Sequence, residues 1–94
     1  MNKVGYVHLD IEGNEWWVEK ITLPKRAPGG KEGIETFFIA ECPKTDKKSF
    51  RERNKYSVLN KIGRTKCLGN LYRDKYNKLH IVYKPNYDKT NHQK

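Results

Sequence analysis

The feature that most constrains the fold is a strict two-residue alternation near the start of the chain. Over residues 4–12, Val7, Leu9 and Ile11 point one way, and Tyr6, His8, Asp10 and Glu12 the other. This is the pattern of a strand with one face in a core; a helix would scatter these residues around its circumference. Gly13 and Asn14 supply the positive-φ positions of a tight turn. Residues 15–23 then resume with Trp16, Trp17, Val18, Ile21 and Leu23. A hairpin is predicted, and the rest of the chain must build a sheet around it.

The later segments fit that demand. Pro24 ends the second strand, and 24–33 reads as a loop, with two prolines, three glycines and the cations Lys25, Arg26 and Lys31. A third strand is predicted over 34–41, closed by Cys42-Pro43. Thr45 or Asp46 can cap a helix running through Lys47, Phe50, Glu52, Tyr56 and Leu59. Two more strands follow over 62–72 and 78–84, joined by a turn at 73–77.

The fold expected is mainly β, α+β at the margin. It is a small five-stranded OB-like barrel with a helical connection between strands 3 and 4. An SH3-like barrel, or a plain antiparallel sheet with one helix, shares the element order. Closure removes two exposed edges, which favours a barrel at this length. Its inward set is Val7, Leu9, Ile11, Trp17, Ile21, Leu23, Ile39, Leu71, Leu79 and Ile81, with Trp16 outward. Residues 1–85 form a single domain and 86–94 a flexible basic tail.

Charge is divided unevenly. Residues 1–41 hold five Lys/Arg against seven Asp/Glu, and 42–94 hold fifteen against four, which gives the chain its net +9. Six of the eleven aromatics also lie after residue 41. A positive surface interleaved with rings suits nucleic acid, single strands above all, because cations hold phosphates while rings stack on bases.

Other classes find little support. No stretch approaches the roughly 20 apolar residues of a membrane span, and no secretory signal is visible, so a cytoplasmic protein with reduced cysteines is expected. Cys42 and Cys67 lack the paired spacing of a zinc site with His8, His80 or His92. No cofactor or metal is expected. Ser49 and Ser57 have no neighbouring histidine, and Asp10 and Glu12 read as a solvated face rather than a nuclease centre. The chain is read as having no catalytic activity.

The binding residues expected are Lys61, Arg64, Lys66, Arg73 and Lys75, with Lys25, Arg26 and Lys31 on a loop that closes over a strand. Arg64 and Lys66, two apart, are expected on one face. Tyr72, Tyr76 and Trp16 are the stacking rings. An outward Trp16 equally fits a protein-partner anchor or a cover for the barrel end. The reading is a nucleic-acid-binding protein, with DNA and RNA not distinguished and a homo-oligomer compatible. The alternative is a small protein-binding modulator of phage or plasmid type, docking on an acidic partner and presenting Asp10, Glu12, Glu15 and Glu19 as an opposite pole.

Overall fold

The computed structural model describes residues 1–26, 28–30 and 32–85. Its strands are β1 (Asn2–Asp10), β2 (Glu15–Arg26), β3 (Glu32–Glu41), β4 (Phe50–Glu52), β5 (Arg64–Arg73) and β6 (Leu79–Tyr83), with one helix, α1 (Lys55–Ile62), before β5. They form a single antiparallel sheet in the order β4-β3-β2-β1-β5-β6. The protein is therefore mainly β, as expected. It is not the expected five-stranded barrel: there are six strands, and β4 and β6 stand at opposite edges without meeting. The predicted 86–94 tail and Lys31 lie outside the described residues.

The sheet stays open because both of its faces carry core. Against α1 lie Trp16, Val18, Ala40 and Cys42, packed with Val58, Leu59 and Ile62. On the other face Val7, Leu68 and Leu71 gather Leu9, Trp17, Leu79, Ile81 and Tyr83. A barrel needs one buried face; β2 is apolar on both, so a helix covers one and sheet curvature closes over the other. The single inward set was half of the answer. Ile11 is 81% exposed in the β1–β2 turn, and Leu23 is also exposed. Trp16, expected outward, is 6% exposed, packs edge-on against Phe50 and donates its indole N–H to Asp10 at 2.8 Å.

Curvature is visible in contacts that skip strands. Tyr83 of β6 donates to Glu15 of β2 at 2.8 Å, and Arg73 of β5 grips both carboxylate oxygens of Glu19 in β2 at 2.6 and 2.9 Å. Two glycines permit the close strand approach. A Cβ on Gly5 would lie 1.9 Å from the Val18 carbonyl oxygen, and one on Gly69 2.4 Å from that of Val82. Bulges in the β1–β5 pairing bend the strands further.

The connection before β5 also differs from expectation. Thr45 receives the Lys47 N–H in a turn and caps no helix. Phe50 and Glu52 pair with β3 instead, opposite Ala40 and Phe38. The helix starts eight or nine residues later than proposed, where the Asn54 side chain accepts the Tyr56 N–H at 2.7 Å, and it ends on Gly63 at φ 69°. Pro24 does not end β2, which runs to Arg26. Beyond Glu19 that strand no longer pairs with β1, and a proline is tolerated where a strand pairs on one side only. β2 and β3 thus extend past the sheet as a two-stranded ribbon.

Candidate functional site

Folding first spends much of the charge asymmetry internally. Lys44 pairs with Glu15, Lys47 with Glu12, Arg53 with Glu35 and Arg73 with Glu19, each joining the basic half of the sequence to the acidic half. Lys61 pairs with Glu52 within the basic half. Those pairs take up Glu12, Glu15 and Glu19 of the expected acidic pole. Asp10 organises the β1–β2 turn, accepting from the backbone of Glu12 and Asn14 and from Trp16. Burial alone would raise its pKa; these hydrogen bonds outweigh that and hold it below the usual carboxylate value.

Three lysines outside these pairs come together elsewhere. On the helix-bearing face, where the ribbon leaves the sheet, a groove of about 450 Å³ opens between the start of β1, the ribbon and the start of α1. Lys3, Lys20 and Lys55 line it, over Tyr6, Val18, Thr22 and Phe38, and no carboxylate does. Among the described residues, none of the three lysines is in a salt bridge. Strand alternation places Tyr6 and Lys20 here: Tyr6 pairs with Val18, and Lys20 with Phe38, so all four share one face. Lys55 arrives from the first position of α1.

The geometry around Tyr6 is the centre of the site. The Lys3 ammonium stands 4.2 Å from the ring centroid and that of Lys55 3.9 Å, so the two nitrogens are within about 8 Å of each other. Cation–π attraction helps hold both. Their mutual repulsion still costs about 0.5–2 kcal/mol between water-like and surface-like dielectric. A hydrogen bond from Lys3, then the charges of Lys3 and Lys55, hold the Tyr6 phenol below its ordinary pKa. Chemically, the arrangement offers positive charge to an anion beside an aromatic floor.

Register sorts the sequence-predicted residues between the two ends of the sheet. Tyr72 lies opposite Lys3 and so on the groove face, half-buried. Lys75 and Tyr76 occupy the β5–β6 turn at that same end, with Lys75 5.2 Å from the Tyr76 ring and Tyr76 77% exposed. Lys25 and Arg26 are exposed at the ribbon's end, flanking a shallow depression that shares Thr22 with the groove. Lys61, Arg64 and Lys66 lie at the opposite end. Arg64 and Lys66 do not share a face: Lys66 is opposite Leu9 and Arg64 opposite Asp10, and the irregularity between them breaks the alternation. Arg73 is committed to Glu19 and to the Asn77 carbonyl. Trp16 is core and reaches no surface ligand.

Sequence reasoning missed Lys3, Tyr6 and Lys20. All three lie in the acidic half, where the charge count drew attention away. The signal was there in the alternation, which already put Tyr6 and Lys20 on the faces opposite Val7 and Ile21.

Comparison with protein-family models, curated proteins and solved structures found no match. Among the described residues no cluster of His, Cys, Asp or Glu could hold a metal ion, and no helix is long and apolar enough to cross a membrane.

Proposed function

We propose that this is a non-catalytic nucleic-acid-binding protein that favours single-stranded DNA or RNA and binds it through the Tyr6 groove and the adjoining ribbon. The observation that carries this is the gathering of Lys3, Lys20 and Lys55 in one groove, Lys3 and Lys55 against the Tyr6 ring, with no carboxylate among the groove residues. Three cations gathered in one groove without a carboxylate in its lining favour an external counter-charge. Tyr72 and the exposed Tyr76 at the same end offer rings to unstacked bases, which a duplex does not present. Lys25 and Arg26 add two exposed cations at the ribbon's end, beside Glu32.

The test is fluorescence anisotropy of labelled oligo-dT, oligo-U and a short duplex at two salt concentrations. Three phosphate contacts by lysine give a slope of log K against log salt of about −2 for a single strand. Single strands binding more tightly than duplex, with such a slope, is the expected result. No binding of any probe at low salt would overturn the proposal and turn the search to an acidic protein partner.

A further inference from the structure

We infer that the Tyr6 groove holds the terminal phosphate of a nucleic-acid strand, a phosphomonoester, rather than an internal phosphodiester; the inference rests on the nucleic-acid reading above. An internal phosphodiester carries one negative charge, whereas a phosphomonoester carries about −1.5 to −2 at pH 7. Lys3, Lys20 and Lys55 bring three positive charges to one groove with no acid in its lining. That is more than one diester balances.

The start of α1 adds to the excess. Its first turn contains no acidic residue, and its first position is Lys55, the reverse of the usual preference for negative charge at a helix N-terminus. The fold therefore tolerates an unfavourable placement here that a bound dianion would reverse, and local rules are broken in this way most often at functional sites. The Tyr6 ring already carries two ammonium groups and serves as their platform, with its hydroxyl beside Lys3. Charge, not an open stacking face, is what the centre of the groove presents. Stacking falls to Tyr72 and Tyr76 nearby. The groove volume of about 450 Å³ suits one terminal nucleotide unit.

The experiment compares dT octamers bearing a 5′-phosphate, a 3′-phosphate or neither, each labelled at the opposite end, with thymidine monophosphate as competitor. One phosphorylated octamer is expected to bind at least 10-fold tighter than the bare one. That gain should vanish in Lys3→Ala and Lys55→Ala, and persist in Arg64→Ala at the far end of the sheet. Equal affinity for phosphorylated and bare octamers would overturn the terminal-phosphate assignment while leaving nucleic-acid binding intact. Binding of neither would remove both. Displacement by the free monophosphate at the same concentration as by the phosphorylated octamer would also overturn it, because the strand would then contribute nothing.

Discussion

Lowering the pH from 7 to 4.5 should destabilise this protein chiefly through one residue, His8. Its side chain is 1% exposed on the helix-bearing face of β1, and neither ring nitrogen is hydrogen-bonded to another described group. Burial, reinforced by the positive charges of Arg64, Lys55 and Lys84, pushes its pKa from 6.5 down to about 4. Above pH 6.5 the imidazole is neutral in both folded and unfolded chains and costs nothing in linkage. As the pH falls through 6.5 the unfolded chain takes up a proton that the folded one refuses, so stability drops until the pH passes about 4. A gap of this size corresponds to about 3 kcal/mol at full extent, and to about 2.5 kcal/mol at pH 4.5. For a domain of this length that is a large share of the total. Asp10 and Asp74 contribute with the same sign at lower pH: their folded pKa values are depressed, so their contribution is present above about 3.8 and fades below it. Urea unfolding followed by tryptophan fluorescence at pH 7 and 4.5, on wild type and His8→Leu, isolates the effect. The variant should lose about 2.5 kcal/mol less than wild type over this interval. Equal losses would show that His8 is not the residue refusing the proton.

Other perturbations separate architecture from binding. Gly5→Ala places a Cβ against the Val18 carbonyl oxygen and should cost at least about 3 kcal/mol by urea unfolding, or prevent folding altogether. Asp10→Ala leaves the buried Trp16 indole N–H without its acceptor and unties the β1–β2 turn; about 3 kcal/mol is expected from thermal or urea melts. Arg73→Ala should lower stability by about 1–2 kcal/mol through loss of the Glu19 pair, yet leave the salt slope of oligonucleotide binding unchanged. Lys55→Ala should do the reverse, preserving or raising helix stability while reducing that slope by about 0.7.

How far the sequence could be read follows from what each signal encodes. Alternation located β1, β2, β3, β5 and β6 to within a few residues, because a period of two is a property of one strand alone. It could not say that both faces would be buried. Val18, Ala40 and Cys42 on one face and Val7 and Leu71 on the other are all fully or nearly fully buried, and only strand order and α1 reveal that both sets are core. The helix was misplaced because Thr45 and Asp46 are as good caps as Asn54 by residue type. The contact of Phe50 with Trp16, distant in sequence, favours a short strand where the helix was expected. The binding surface was the least legible part. Counting charge along the chain measures composition, while the fold sets Lys44, Lys47, Arg53 and Arg73 against the acids of the other half. Lys3, Lys20 and Lys55 come together only through the register of β1 with β2 and the position of α1.

Where a single strand touches the protein is the most direct test of this account. Amide chemical shifts of the isotope-labelled protein, followed during titration with dT octamers bearing a 5′- or a 3′-phosphate, resolve the location residue by residue. The account predicts that the largest shifts fall on Lys3, Gly5, Tyr6, Lys20, Thr22, Phe38 and Lys55, with smaller ones at Tyr72 and Tyr76. Shifts centred on Lys61, Arg64 and Lys66 at the far end of the sheet, or no shifts at all, would contradict it.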